Sequence, residues 1–355
     1  MSQENQNIQE EPHKRRVRYK GKYPKNYKEK YKELNPEKYQ DTIEKVIRKG
    51  STPAGMHISI MVKEIIDFLQ IKPGQTGFDA TLGYGGHTRA MLECLKGQGH
   101  MYATDVDPIE SAKTKKRLAE AGFGEDILTI KLQNFCTIDE IAKEAGGFDF
   151  VLADLGVSSM QIDNPDRGFS FKVDGPLDLR LNPEKGISAA ERLAQIEEDE
   201  LAGMLWENSD EPYAEELAHA IVTEIKHGKP IETTTRLREV IEETLSFLPE
   251  KERKDTVKKT CQRTFQALRI DVNNEFEVLY EFMEKLPGAL KPGGRAAILT
   301  FHSGEDKLVK KALKQGYKEG IYSEIANDVV RPSAEECAQN GRARSTKMRW
   351  AVRAE

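Results

Sequence analysis

The sequence predicts a doubly wound α/β fold, in which helices cover a mostly parallel sheet, interrupted by an inserted all-helical domain. From TGFDATLG to FDFVLADLG, short apolar runs alternate strictly with segments of helical periodicity, a pattern typical of parallel sheets. From about Asp166 to Lys259 the alternation stops and only helical segments follow. Ligands of such folds bind at the carboxyl ends of the strands, so the residues that follow each strand are the candidate site.

The first elements form a regular series. SIMVKEIIDFLQIKPG has apolar residues at helical spacing and stops at Pro73-Gly74, which predicts a lead-in helix. Four strands are predicted next, at TGFDATLG, HMYATDVD, ILTIKLQNF and FDFVLADLG. The helices between them are predicted over TRAMLECLK, IESAKTKKRLAEAG and residues 138–145.

The interruption contains three helical segments. Ser188 and Glu191 have the spacing of a capping box, which predicts the start of the first helix. Leu217, Ile221 and Ile225 recur at helical spacing along the second. TTTRLREVIEETLSFLP supplies the third. Because no strand separates these helices, we expect a helical insertion that covers the mouth of the site.

Strands return near the C-terminus. GRAAILTFHS follows the turn KPGG at residues 291–294. KMRWAVR places Met348, Trp350 and Val352 on one face and Arg349 and Arg353 on the other, which predicts a half-buried strand.

These patterns divide the chain into four segments. Residues 1–50 form an N-terminal extension, 51–165 the first part of the sheet domain, 166–260 the helical insertion and 261–355 the second part of the sheet domain. A length of 355 residues is sufficient for this arrangement.

Composition excludes several classes of protein. With 38% hydrophobic residues, a mean hydropathy of -0.64 and no apolar run near 18 residues, the chain is predicted to lack a transmembrane helix and a membrane partner. The polar N-terminus has no signal-peptide core, so we expect a cytoplasmic location. Cys94, Cys136, Cys261 and Cys337 are scattered and form no C-x-x-C pair, so neither a disulfide framework nor a zinc site is predicted.

Charge is concentrated near the N-terminus. The whole chain carries a formal net charge of -5, but residues 12–40 hold eleven Lys or Arg against three Glu, a net +8, with five tyrosines interleaved. Such a segment is suited to contact RNA phosphates and to stack on bases. A solvated tail without a binding role is the alternative, and the sequence leaves both open.

A glycine-rich turn follows the first predicted strand. FDATLGYGGHT places Gly83, Gly85 and Gly86 between a strand and a helix, where bare backbone lets a nucleotide-like ligand approach the main chain. Thr88 stands where the dinucleotide fingerprint has its third glycine, and no P-loop Gly-Lys-Ser/Thr follows. The turn alone is equally compatible with a structural role.

Acidic residues end two further strands. Asp105 lies 20 positions after Gly85, the distance at which an acid reaches ribose hydroxyls. Asp107 precedes Pro108 and is predicted to cap the next helix. Asp154 ends the fourth strand in ADLGVSSMQI and faces the same crevice. It is placed to accept a hydrogen bond from an amine, although an acid at a strand end also serves as a helix cap.

Nine motifs together resemble the S-adenosylmethionine-dependent ribosomal RNA small-subunit methyltransferase H family. They are, in order, FDATLGYGGHT, TDVDP, LADLGVSSMQID, DRGFSF, GPLDLRL, RTFQALRI, NNE, KPGGRAAILTFHSGED and GRARSTKMR. The match runs from about His57 to the C-terminus. The resemblance implies a class I, Rossmann-like methyltransferase sheet with an inserted helical domain. It also implies S-adenosylmethionine as cofactor, methyl transfer to N4 of a cytidine in the decoding centre of 16S rRNA, and 16S rRNA or the small ribosomal subunit as partner.

The resemblance also assigns the cofactor site. The positions that match the family's cofactor contacts are Gly85, Gly86, His87, Asp105, Phe135, Asp154 and Gln161. Among them Asp105 is the ribose-binding acid and Phe135 lies beside the adenine. Asp154 is also the candidate catalytic residue, because the lone pair of an exocyclic nucleobase amine is delocalised and must localise before it attacks.

Candidate acceptor residues come from two other motifs. In DRGFSF, Arg167 is a candidate for phosphate contact and Phe169 or Phe171 for stacking on a flipped base, with burial in the insertion core as the alternative for either ring. His302 and Ser303 follow the fifth strand and are expected to line the pocket, although a lone histidine often has a structural role. No metal constellation accompanies the seven histidines, and direct methyl transfer needs none.

The sequence departs from the family pattern at five positions. Ala80 and Leu82 stand where the family has Gly and Phe, Met160 and Ile162 where it has Pro and Leu, and Gly304 where it has Leu. These departures keep other activities open: methylation of a different rRNA or DNA base, or a cofactor-bound RNA-binding or assembly protein with vestigial activity. A homodimer also stays open.

Overall fold

The computed structural model describes residues 59–355, so the N-terminal extension at 1–50 lies outside the described residues. A seven-stranded sheet forms the centre of the described chain. Its strands are β1 (Thr76–Asp79), β2 (His100–Asp105), β3 (Leu128–Leu132), β4 (Phe148–Asp154), β5 (Leu290–Thr300), β6 (Tyr322–Ile325) and β7 (Lys347–Arg353). Their order is β3-β2-β1-β4-β5-β7-β6, and β7 runs in the opposite direction to the other six strands. The predicted mostly parallel, doubly wound sheet is confirmed.

Helices flank this sheet and form the insertion. Those of the sheet domain are α1 (Val62–Leu69), α2 (Gly86–Leu95), α3 (Pro108–Glu120), α4 (Ile138–Ala145), α5 (Ser159–Asp163), α11 (Glu275–Ala289), α12 (Ser303–Lys318) and α13 (Ala334–Gln339). The insertion supplies α6 (Ala189–Gln195), α7 (Glu198–Ser209), α8 (Ala214–Lys226), α9 (Thr234–Thr244) and α10 (Glu250–Asn273). Between residues 59 and 355, no helix is long and apolar enough to cross a bilayer.

Local capping chemistry sets the helix starts that the sequence predicted. Asp107 caps α3, accepting hydrogen bonds from the backbone N–H groups of Ile109 and Glu110. Ser188 and Glu191 form the predicted capping box at the start of α6. The first cap lies two residues after the end of β2, and the second starts the first helix of the insertion.

The insertion has a hydrophobic core of its own, which runs from Phe169 to Leu268. It therefore extends past residue 260, where the sequence placed the boundary. The reason is that α10 continues without a break to Asn273, and the chain turns only at Asn274, which adopts a left-handed conformation with φ of 49°. The next helix, α11, packs on the sheet instead, through residues such as Phe282.

Two strand predictions differ from the structure in detail. The KPGG turn interrupts β5, because Leu290 pairs with Phe148 and the next paired residue on β5 is Arg295. β7 lies between β5 and β6 and is buried on both faces, since Met348, Arg349 and Ala351 are buried and its other four residues are partly buried. Arg349 is consequently only 5% exposed and forms an ion pair with Asp306 of α12 at 2.7 Å.

Candidate functional site

A cavity of about 400 Å³ opens at the carboxyl ends of β1, β2 and β4. The glycine turn after β1 and the loop after β4 form its walls, together with residues of α10 and of the segment 340–345. Parallel strands bring their carboxyl ends to one edge of the sheet. The cavity therefore lies where the sequence places the candidate site, and the insertion contributes one side of it.

An aspartate is the last residue of each of these three strands. They are Asp79 of β1, Asp105 of β2 and Asp154 of β4. Burial raises the pKa of all three carboxyl groups above the usual value. Three carboxyl groups with raised pKa values at one edge are typical of a functional site.

The glycines of the turn are required by protein packing more than by a ligand. Gly85 has a φ of +83°, and a Cβ there would lie 2.6 Å from Cγ2 of Thr114. A Cβ on Gly86 would lie 1.9 Å from Oγ of Ser59. By contrast, a Cβ on Gly83 would meet only a backbone oxygen, at 3.8 Å. Gly83 is therefore the glycine whose missing side chain leaves room in the cavity.

Asp105 is held in place by backbone groups. Its Oδ2 accepts a hydrogen bond from the N–H of Gly83 and its Oδ1 accepts one from the N–H of Asp107, each at 2.8 Å. Burial raises its pKa to about 6 against the effect of these two donors. Each carboxylate oxygen has a second lone pair, so an oriented Asp105 can accept two further hydrogen bonds, as a ribose diol requires.

His87 connects the glycine turn to Asp154. Its Nε2 donates a hydrogen bond to the carbonyl of Ile60 at 2.8 Å, which fixes the ring and leaves Nδ1 facing Oδ2 of Asp154 at 3.4 Å. The histidine is buried and lines the cavity. Its contacts indicate that it positions Asp154 as well as forming the wall.

Asp154 has one carboxylate oxygen without a partner. Oδ1 is buried and accepts no hydrogen bond from residues 59–355. Burial raises the pKa of Asp154 to about 6, His87 opposes that rise, and Asp79 and Glu305 add to it. Since α5 is capped by Ser158, Asp154 is not a helix cap. A buried acceptor that lacks a donor is suited to bind one from a ligand.

Phe135 and Gln161 are two further predicted cofactor contacts that line the cavity. Phe135 is half-buried and packs edge-on against Phe282, with ring centroids 5.2 Å apart. Gln161 is held at both ends of its amide: Oε1 accepts from the N–H of Ser158, and Nε2 donates to Oδ2 of Asp107 at 2.9 Å. Both residues line the cavity, and their roles toward a cofactor stay predictions.

Two of the three residues predicted to contact RNA through DRGFSF are buried within the protein. Arg167 is 7% exposed and donates to Asp107 at 2.7 Å and to two backbone carbonyls. Phe169 is buried in the core of the insertion, and Phe171 packs edge-on against Phe265 with centroids 5.7 Å apart. The burial of Arg167 and Phe169 corrects the prediction of phosphate contact and base stacking for these two residues, whereas stacking by the partly buried Phe171 stays a prediction.

Of the two residues after β5 that were predicted to line the pocket, only one does so. His302 lines the cavity with its side chain 12% exposed. Ser303 is exposed, does not line the cavity and has its Oγ 3.5 Å from a carboxylate oxygen of Asp210. The reason is that α12 begins at Ser303, so its side chain turns away from the edge of the sheet.

An ion-pair network surrounds His302. Ligating atoms of Glu275, His302 and Glu305 lie within 4.8 Å of one another, a grouping that the sequence did not predict. Arg269 pairs with both oxygens of Glu275 at 2.8 Å, and Glu305 accepts from the N–H of Phe301. The guanidinium of Arg269 neutralises the carboxylate of Glu275, so the group lacks the negative charge that binding a metal ion would need. We therefore interpret the group as an ion-pair network.

Glu305 is ionised within this network. Burial opposes ionisation, but the contacts with His302 and Arg269 and the N–H of Phe301 more than offset it and lower the pKa of Glu305. Sequence reasoning missed Arg269 and Glu275. The available signal was a charged residue within the apolar run QALRI of α10, a position that needs a partner when the helix is packed.

Gly304 shows why one family position differs here. A Cβ at Gly304 would lie 2.6 Å from Cζ of Phe276, so this ring occupies the space that a leucine would take. The Phe276 ring in turn lies 5.9 Å from the ring of His302. The departure therefore changes the packing behind His302 and leaves the three strand-end aspartates unaffected.

Comparisons with known proteins agree on one family. The model of the MraW methylase family matches residues 54–354. The chain is 84% identical over 347 residues to a ribosomal RNA small subunit methyltransferase H 1 of Agathobacter rectalis, covering 98% of this chain and 99% of that one. It is 72% identical over 346 residues to the protein of that name in Lachnoclostridium phytofermentans, covering 98% and 94%. A ribosomal RNA small subunit methyltransferase H of Thioalkalivibrio sulfidiphilus is 38% identical over 320 residues, covering 85% and 98%.

Proposed function

The chain belongs to the MraW methylase family, and from this premise we propose that it methylates the N4 amine of a cytidine in the decoding centre of 16S rRNA, with S-adenosylmethionine as methyl donor. The names of its relatives support a small-subunit rRNA substrate. The observation that carries the chemistry is Oδ1 of Asp154 at the cavity wall, a buried oxygen that has no hydrogen-bond partner among residues 59–355. The partner is 16S rRNA or the small ribosomal subunit, in the cytoplasm.

The cavity fits the proposed cofactor. S-adenosylmethionine supplies a methyl group on a positively charged sulfur. Asp105 would hold its ribose hydroxyls with the lone pairs that Gly83 and Asp107 leave free. Phe135 would lie against the adenine, and the space beside Gly83 would take the rest of the molecule. A volume of about 400 Å³ is in the usual range for a small-molecule site.

Asp154 would prepare the nucleophile. The lone pair of the cytidine amine is delocalised into the ring, which makes the nitrogen a poor nucleophile. A hydrogen bond from the amine N–H to Oδ1 of Asp154 favours the form in which the lone pair is localised and charge develops on nitrogen. When the bond from nitrogen to the methyl carbon forms, the bond from that carbon to sulfur breaks, its electron pair stays on the sulfur as a neutral thioether, and the nitrogen must release a proton. A carboxylate with a pKa of about 6 is placed to accept it.

One experiment tests this function against its alternatives. Small-subunit rRNA from cells with and without the gene is digested and analysed by mass spectrometry. We expect one N4-methylcytidine to disappear when the gene is removed. Loss of a different methylated base would favour another target, and an unchanged set of modifications would favour an RNA-binding or assembly protein.

Asp105→Ala is expected to weaken S-adenosylmethionine binding by about 1.5–3 kcal/mol, because two hydrogen bonds to a charged group are lost. Calorimetry measures the affinity directly. Asp328→Ala, at an exposed acid that does not line the cavity, is the matched control and should bind as the parent does. Unchanged affinity in a folded Asp105 variant would remove Asp105 from the cofactor site.

A further inference from the structure

We propose that Lys258, Lys259 and Arg263 on α10 bind the phosphates of the RNA strand that leads into the cavity. These three residues are called the basic patch below. The proposal rests on the proposed function, since it assigns a path to that RNA substrate. It places the path on the insertion, at a surface continuous with the cavity.

Helix α10 itself connects the basic patch to the cavity. Gln266, Arg269 and Asn273 of this helix line the cavity. Lys259 precedes Gln266 by seven residues, which places it on the same face of the helix, about 10 Å away along the axis. Arg263 lies one turn from Lys259 on the way to the cavity. A strand that follows this face therefore arrives at the cavity directly.

All charged side chains in the part of α10 that contains the basic patch are positive. Residues 256–270 hold four basic residues and no acidic one, although the whole chain has a net charge of -5. Lys258 and Lys259 are exposed and form no ion pair with any residue in 59–355. Arg263 is 39% exposed, and its nearest carboxylate, Glu211, is 4.0 Å away. These cations are available to an anionic partner.

Some lysines elsewhere in the described chain are neutralised by a neighbouring acid. Lys63, Lys113 and Lys285, for example, pair with an acid three or four residues away on the same helix. Such pairs are typical of a solvated helix face. Asp255 lies three residues from Lys258 and four from Lys259, but neither lysine forms an ion pair with it or with any other residue in 59–355, so both charges are available to a partner.

The chemistry of the patch favours an RNA backbone as its occupant. Flexible lysines bind phosphates without reading sequence, which suits a strand whose base is selected in the cavity. Arg167, the residue that the sequence offered for phosphate contact, is buried in an ion pair with Asp107. The phosphates near the target therefore need other cations, and the basic patch supplies them next to the cavity.

The test is a salt titration with purified small-subunit rRNA as the probe. The full-length parent is compared with the double variant Lys258→Gln, Lys259→Gln. Loss of two phosphate contacts on a single strand should reduce the slope of log affinity against log salt by about 1.4, and affinity at 0.1 M salt by roughly 25-fold. Calorimetry with S-adenosylmethionine should show unchanged binding, because neither lysine lines the cavity.

A second variant controls for net charge. Lys314→Gln, Lys318→Gln removes the same charge from exposed positions of α12 that do not line the cavity. This control should keep the slope and affinity of the parent. An unchanged slope in the Lys258, Lys259 variant, or an equal loss in both variants, would overturn the proposal. If the Lys258, Lys259 variant shows the expected change in slope but the parent methylates no base, the basic patch stands and the proposed function falls.

Discussion

Asp154→Asn is expected to lower the single-turnover rate of methyl transfer by about 10²–10³-fold at saturating cofactor and RNA, the magnitude typical of losing one preorganised group that acts in the transition state. Asparagine keeps the shape of the side chain but cannot accept the proton that the nitrogen releases. Rapid-quench measurement with labelled methyl donor gives the rate. Cofactor affinity should change far less, because the charge of Asp154 matters mainly as the nucleophile forms its bond.

The parent enzyme should show a matching pH dependence. Because the pKa of Asp154 is about 6, the carboxylate is present above that pH and is lost as the pH falls through it. The rate should therefore fall below about pH 6. The charged or titratable groups that influence Asp154 are His87, Asp79 and Glu305, so the observed value belongs to the group as a whole. The Asp154→Asn variant should lose this dependence.

Asp149→Asn is the matched control for this substitution. Asp149 is on the same strand, β4, but near its other end, where it pairs with Lys291 and does not line the cavity. The control should turn over as the parent does. If Asp154→Asn matches the parent at saturation and loses only cofactor affinity, Asp154 is a cofactor contact and has no catalytic role.

The sequence predicts the residues of the candidate site wherever one local rule is sufficient. Strands and helices follow from the period of apolar residues, and the ends of parallel strands meet at one edge. Asp105 and Asp154 were therefore identifiable from their positions alone. The same rule predicted the cap at Asp107, because a cap depends only on its own turn.

The residues that the sequence misassigned depend on contacts between distant segments. Arg167 follows Asp107 by 60 positions, and nothing in the local pattern predicts their ion pair. Phe169 resembles a stacking residue until the core of the insertion is known to contain it. Arg269 lines the cavity only because the last turns of α10 reach it. Tertiary packing decides these roles, and the distances between residues far apart in the chain cannot be read from a single sequence.

Arg167→Met is expected to lower the free energy of unfolding by about 3–5 kcal/mol, the usual cost of removing one partner from a buried ion pair. Asp107 is fully buried, and without Arg167 its Oδ2 keeps only the hydrogen bond from Gln161. Two backbone carbonyls also lose their donor. Urea denaturation followed by circular dichroism measures the loss. Arg89→Met, which breaks the exposed pair with Glu93 on α2, is the matched control and should cost about 1 kcal/mol or less.

The double variant Asp107→Asn, Arg167→Met separates the ion pair from the other contacts of Arg167. Asparagine still caps α3, but it removes the buried charge that the single variant leaves unpaired. The double variant should therefore be destabilised by less than the sum of the two single variants, with a coupling energy of about 0.5–3 kcal/mol. Strict additivity would contradict this account, because it would mean that Arg167 stabilises the base of the insertion through its packing and its carbonyl contacts alone. A measured coupling would instead show that the ion pair between Arg167 and Asp107 helps attach the insertion to the sheet domain. Asp107 lies two residues from the proposed ribose-binding Asp105.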